Sequence, residues 1–243
     1  MLTQYLKEVR GFFSSITGFL VIIVFILLNS SFMWVFKGGN NVLENGYATL
    51  NSLFTLAPWL FLFLVPALTM RMFAEEQRTG TLELLFTRPL TEWDIVLSKF
   101  LAALTLIIFS VLPTLIYFIS IYLLGNPVGN IDIGGTWGSY IGLLFLGGIY
   151  AAIGVFASSI TNNQIVAFII SVVFSFLFYT GFDLISTVFE NGQLAHTIEK
   201  VGIQFHYQSM SRGVIDSRDL IYFLGLGFII VYATRLVLIR RKW

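Results

Sequence analysis

Apolar residues fall in six long runs, at about 16–36, 50–70, 100–124, 138–158, 164–185 and 219–239, separated by short polar stretches. Each run reaches the roughly 20 residues a helix needs to cross a hydrocarbon core about 30 Å thick. In lipid every backbone N–H and C=O must find a partner within the protein, and helices meet that demand segment by segment. The pattern predicts an all-α membrane protein, one domain over 1–243 with six transmembrane helices. The fourth and fifth runs are parted only by 159–163, which predicts a tight hairpin. Pro58, Pro66 and Pro113 predict kinks in the second and third spans, where neighbouring helices can satisfy the freed carbonyls.

Ahead of the first span the period changes. Leu2, Tyr5, Leu6, Val9, Phe12 and Phe13 recur at helical spacing on one face, with Thr3, Gln4, Lys7, Glu8 and Arg10 on the other. This predicts an amphipathic helix over 1–15 lying in the membrane interface rather than a simple extension of the first span. Lys7 and Arg10 before an apolar run resemble a secretion signal. The run outlasts the roughly 7 to 15 apolar residues of such a signal and lacks a small-x-small cleavage site, so it is read as a retained span.

The loop 71–99 has its charges at one end and an apolar middle. Glu75, Glu76 and Arg78 are expected to continue the second span as a helical turn, with Gly80 taking the left-handed conformation that ends it. A short helix then fits 81–87, presenting Leu82, Leu84, Leu85 and Phe86 beside Glu83. Pro89 pushes Arg88 toward an extended conformation, and Thr91 with Asp94 has the spacing of a capping box opening the next helix. On periodicity and caps alone the loop reads equally as a well-capped connection or as a docking element for a cytoplasmic partner. The outer segment 183–218 carries loosely helical apolar spacing and predicts short helices dipping into the outer leaflet.

Charge sets the orientation. Lys7, Arg10, Arg71, Arg78, Arg88, Lys99, Arg240, Arg241 and Lys242 fall on one side, against Lys37, Lys200, Arg212 and Arg218 on the other, with Arg235 inside the last span. An excess of Lys and Arg marks the cytoplasmic side, so both termini are placed there. The composition, 57% apolar and 11% charged, leaves too little charge for the shell of a soluble domain, and a formal net charge of +1 argues against nucleic-acid binding.

Candidate chemistry is sparse. No phosphate-cradling Gly-x-x-x-x-Gly-Lys-Ser/Thr loop occurs, so any ATP must be handled by another polypeptide. There is no cysteine, and His196 and His206 lack metal-ligand spacing, which makes them solvated or interfacial side chains and leaves no metal or cofactor site. No flanking pattern marks a serine nucleophile. A channel or secondary transporter would be expected to carry charges at mid-membrane, and the spans hold almost none. Gly138 and Gly142 sit four residues apart in a span rich in small residues, which suits close helix packing within one bundle ahead of a subunit interface.

The string EEQRTGTLELLFTRPL at 75–90, followed by IVLSK at 95–99, resembles the signature of ABC-2-type transporter permeases, and the six spans with an amphipathic amino-terminal helix fit that family along the whole chain. Within it, FFSS at 12–15, VIIVF at 21–25, APW at 57–59, RMFAEE at 71–76 and YQSMSRGVIDSRDL at 207–220 are similar to the gliding-motility permease subunits of Bacteroidetes. The resemblance implies an inner-membrane permease subunit with no enzymatic activity of its own. It also implies a cytoplasmic ABC ATPase as partner, together with a second permease or auxiliary membrane subunit. The loop would then be a coupling helix seated in the ATPase, with Glu75, Glu76, Arg78, Thr79, Gly80, Thr81, Glu83 and Leu84 at the contact and the outer segment a pair of re-entrant helices. A membrane anchor or scaffold that transports nothing is the alternative.

Overall fold

The computed structural model describes every residue except Arg88, Glu190, Asn191, Lys242 and Trp243, along with the side chain of Thr17. The chain opens with α1 (Leu2–Phe13) and turns into α2 (Ile16–Ser30), which runs on through a π-helical turn (Ser31–Val35). A one-turn helix, α3 (Val42–Asn45), leads into α4 (Asn51–Thr69), which breaks at Met70 into α5 (Arg71–Arg78). The short α6 (Thr81–Phe86) precedes α7 (Glu92–Val111), a 3-10 turn (Leu112–Thr114) and α8 (Leu115–Leu124). Then come α9 (Ile133–Ile160), α10 (Gln164–Phe176), a π-helical turn (Leu177–Gly181), α11 (Phe182–Ser186), α12 (Gly192–Glu199), α13 (Ile203–Met210) and α14 (Ser217–Arg241). No strand occurs among the described residues.

Six of these runs are long and apolar enough to span a membrane: Gly18–Val35, Asn51–Arg78, Glu92–Leu124, Ile133–Ile160, Gln164–Ser186 and Ser217–Arg241. An even number of crossings puts both ends of the chain on one side. The helices α1, α5 and α6 lie at that end, with α12 and α13 at the other. Of the predicted apolar face of α1, Phe12 is buried and Tyr5, Val9 and Phe13 pack on the core, whereas Leu2 and Leu6 stay exposed. An apolar edge left uncovered beside Lys7 and Arg10 suits a helix bathed in headgroups. The polar face is not uniformly solvated, because Gln4 is 4% exposed and turns inward with Glu8.

The bundle is organised around α9. Its apolar stretch is 78% buried, against 17% for α14, so α9 is the axis and α14 lies at the periphery of the bundle. Lipid tails are as apolar as leucine, so packing must supply the association of spans, and small residues let backbones approach. A Cβ on Gly147 would fall 2.8 Å from Ile107 Cγ2, one on Gly154 would overlap Thr69 Oγ1, and one on Gly138 would overlap the carbonyl of Met210.

Pro58 and Pro66 lie inside α4, and Pro113 lies in the 3-10 turn that divides the third crossing. Proline has no N–H, so Pro58 leaves the carbonyl four residues earlier without its helical donor. That carbonyl, on Phe54, accepts a 2.8 Å hydrogen bond from the Tyr207 hydroxyl of α13. The same ring packs 3.2 Å from where a Cβ on Gly142 would stand. Gly138 and Gly142 thus make room for α13 against α9.

Replacing Gly154 by Ala should destabilise the bundle by about 1–3 kcal/mol, the usual cost of overpacking a filled core. Gly225, in lipid-facing α14 with open space where its Cβ would go, should gain roughly 0.5–1 kcal/mol on the same substitution from helix propensity. Unfolding midpoints of the two purified variants in detergent check the opposite signs.

Candidate functional site

The break at Met70 separates α4 from its continuation α5 and leaves the first N–H groups of α5 short of intrahelical acceptors. A side chain from α9 fills the gap. Ser158 Oγ accepts from Phe73 N at 2.8 Å and Ala74 N at 3.0 Å, and donates to Met70 O at 3.0 Å. One residue on, the carbonyl of Ser159 accepts from Gln77 Nε2 at 2.9 Å. The second span therefore runs on into α5 as expected, through a one-residue turn at Met70 whose backbone stays helical (φ −53°, ψ −30°), and α9 supplies hydrogen bonds at that junction.

Lys99 sits where α1, α5 and α7 meet. It is 1% exposed, and its ammonium donates to Glu8 Oε1 at 3.0 Å and to the carbonyl of Met72 at 2.7 Å, while pairing with Glu76 Oε1 at 2.9 Å. The Phe73 ring lies 5.0 Å away and adds a cation–π contact. Gln4 Nε2 donates to the same Glu8 oxygen at 2.9 Å, so three elements distant in sequence converge on one buried charge. Arg71 reinforces the corner, donating to Ser15 Oγ at 3.0 Å and lying over Phe12. Between α1 and α5 lies an open cleft of about 440 Å³, lined by Lys7, Glu75, Glu76, Arg71 and Thr79 among others.

Beyond the cluster the loop turns outward. Gly80 has φ 71° and ψ 7°, a left-handed conformation that reverses the chain between α5 and α6. In α6, Leu82 and Leu85 are buried in the bundle, while Glu83 and Leu84 face out, Leu84 being 63% exposed. Glu75, Arg78, Thr79, Gly80 and Thr81 are exposed beside them. Glu76 is the exception among the eight candidate contact residues, because its carboxylate faces Lys99 rather than solvent. Pro89 is exposed, Arg88 lies outside the described residues, and Thr91 caps α7 through a reciprocal pair with Asp94. Asp94 N donates to Thr91 Oγ1 at 3.2 Å and Thr91 N donates to Asp94 Oδ2 at 3.1 Å.

Of the two expectations for the histidines, solvated or interfacial, the solvated one does not hold for His206, at the far end from α1. It is 9% exposed, its Nδ1 lies 2.6 Å from Asp219 Oδ1, its Nε2 lies 2.9 Å from the carbonyl of Lys200, and its ring stacks on Tyr222 at 3.8 Å. The pair ties α13 to the start of α14. His196 is exposed, 3.6 Å from Glu199. Neither arrangement sets a nucleophile beside a base. The chemistry available is electrostatic clamping.

Lys99, Glu8, Gln77 and Ser158 were not singled out by the sequence. Lys99 read as one more inner-side charge, and its partners lie 91 and 23 positions away. The available signal was a lysine within the first turns of a helix that continues into an apolar run, where a bare ammonium needs counter-charges. The family model for the ABC-2 family transporter protein matches residues 45–219, most of the chain and all of the segment from α4 to α13. No curated protein matches the chain.

Lys99→Met should destabilise the folded chain by about 3–5 kcal/mol, since it leaves two carboxylates facing each other without their cation. Adding Glu8→Gln and Glu76→Gln to that variant should recover most of the loss. Denaturant midpoints of the single and triple variants check the order.

Proposed function

Because the chain belongs to the ABC-2 family of transporter membrane proteins, we propose that it is the permease subunit through which a separate ATPase drives transport, with α6 as the contact. The observation that carries this reading is the split character of α6. Leu82 and Leu85 root it in the bundle, and Glu83 and Leu84 stand free on the side that carries the excess of Lys and Arg. An apolar side chain beside a charge on a short, rooted helix is suited to a cleft on a partner. Its base, α5, is pinned by Ser158 and Lys99, so force applied to α6 is delivered to α4, α7 and α9 rather than lost in a loose loop. Nucleotide-driven closure of the ATPase would then rock these spans.

The finer parts of the reading rest on the residue resemblance. The strings at 12–15, 21–25, 57–59, 71–76 and 207–220 support a gliding-motility transporter in a bacterial inner membrane, working with a second permease or auxiliary membrane subunit. Gly138 and Gly142 face α13 of the same chain, which supports packing within the bundle as their role and leaves the partner subunit to other faces.

Gly80→Val forces a β-branched residue into a left-handed conformation at about 1–2 kcal/mol, and Glu83→Lys reverses the charge on the free face. In the complex reconstituted in lipid, each should reduce permease-dependent ATP turnover by about tenfold while the six-span fold persists. Unchanged turnover and unchanged co-purification of the ATPase in both variants would contradict the contact, and would favour an anchor that transports nothing.

A further inference from the structure

On the face of the bundle away from the cytoplasmic loop's cleft, α7, α9 and α14 part to leave an apolar crevice of about 760 Å³. Leu97, Phe100 and Leu104 form one wall, Phe228 and Leu224 the other, and Gly148 and Gly227 keep it open. Between Trp93 and Leu104 the crevice follows eleven residues of α7, about 16 Å at 1.5 Å per residue. One leaflet of a hydrocarbon core about 30 Å thick is about 15 Å deep. The crevice therefore matches the depth of a membrane acyl chain, and α14, which forms its outer wall, is the most lipid-facing span.

The inner mouth is chemically different. Trp93 stands there as an interfacial aromatic, and the guanidinium of Arg235 lies over its ring, 5.1 Å from the centroid. Arg235 Nε is buried and has no hydrogen-bond partner, and among the described residues no carboxylate forms an ion pair with Arg235. A guanidinium inside a span without an anion is costly. Six residues separate Arg235 from Arg241, whose Nη2 donates to the carbonyl of Ile160 at 2.7 Å. That spacing is about 9 Å of helix, within reach of the headgroup layer for a long snorkelling side chain. A phosphate is the planar-fork partner a guanidinium binds best.

We propose that this crevice binds a phospholipid of the inner leaflet, with one acyl chain lying between α7, α9 and α14 and the phosphate held by Arg235. The chain fills an apolar volume that would otherwise leave its lining without contacts, and the phosphate supplies the anion the guanidinium lacks. Neither half of the site includes a residue of α6 or of the eight candidate contact positions at 75–84, so the proposal stands apart from the role of α6.

The test is native mass spectrometry of the full chain titrated with phosphatidylglycerol in detergent. The wild type should retain one molecule at collision energies that strip the annular lipid. Arg235→Gln should weaken that retention about tenfold, and Arg235→Lys, which keeps the charge, should weaken it less. Gly227→Leu should block binding by filling the crevice, since a Cβ there begins in ordinary contact, 3.5 Å from Ile149 Cδ1. Gly225→Leu, on the same helix with open space around it, should leave retention unchanged and serves as the folding control. Retention by Arg235→Gln equal to wild type would overturn the phosphate contact, and retention by Gly227→Leu equal to Gly225→Leu would overturn the crevice.

Discussion

A lysine ammonium withdrawn from water costs several kcal/mol unless its attraction to opposite charges and its hydrogen bonds replace what hydration gave. Lys99 is 1% exposed, and the protein meets that condition by bringing Glu8 from α1, Glu76 and the Met72 carbonyl from α5, and the Phe73 ring to one point at the head of α7. The requirement runs in both directions. The carboxylates need the ammonium as much as it needs them, so α1 and α5 cannot leave α7 separately without exposing a bare charge. Helix α1, the root of the loop and the third crossing are therefore bound into one body.

The recapped break at Met70 completes that body. Ser158 reaches from the axis of the bundle to satisfy both N–H groups and the carbonyl at the cut, so α5 is referred to α9 as well as to α7. Gly80 then turns the chain, and α6 hangs from this frame with two leucines anchored and two side chains free. Both ends of this loop are held by side chains, α5 by Ser158 and Lys99 and the start of α7 by the Thr91–Asp94 pair. The outer end repeats the logic with other groups: Tyr207 answers the carbonyl that Pro58 frees, and His206 with Asp219 binds α13 to α14.

The six crossings were legible because a bilayer imposes a length and a composition that no neighbouring residue can cancel. The amphipathic face of α1 and the capping box at Thr91 were legible because both are written within a few residues. The Lys99 cluster was not, since its members are 91 and 23 positions apart and each resembles an ordinary surface charge in isolation. Helical period put Gln4 and Glu8 on the face opposite the apolar one, and the buried ammonium holds them inward. The pairing of His206 was out of sight for the same reason, because its partner Asp219 belongs to the next helix and only the packing of α13 brings them within 2.6 Å.

Because Lys99 joins the supports of α1 and α6, the two helices should move together. The chain has no cysteine, so thiols introduced at Leu6 and Leu84, both exposed, would be the sole labelling sites. The distance between spin labels at those positions can be measured in the lipid-reconstituted complex with and without nucleotide bound to the ATPase. A single separation common to both states, broadened only when Lys99 is replaced by Met, is the predicted result; a separation that changes with nucleotide in the protein with Lys99 intact would contradict the account.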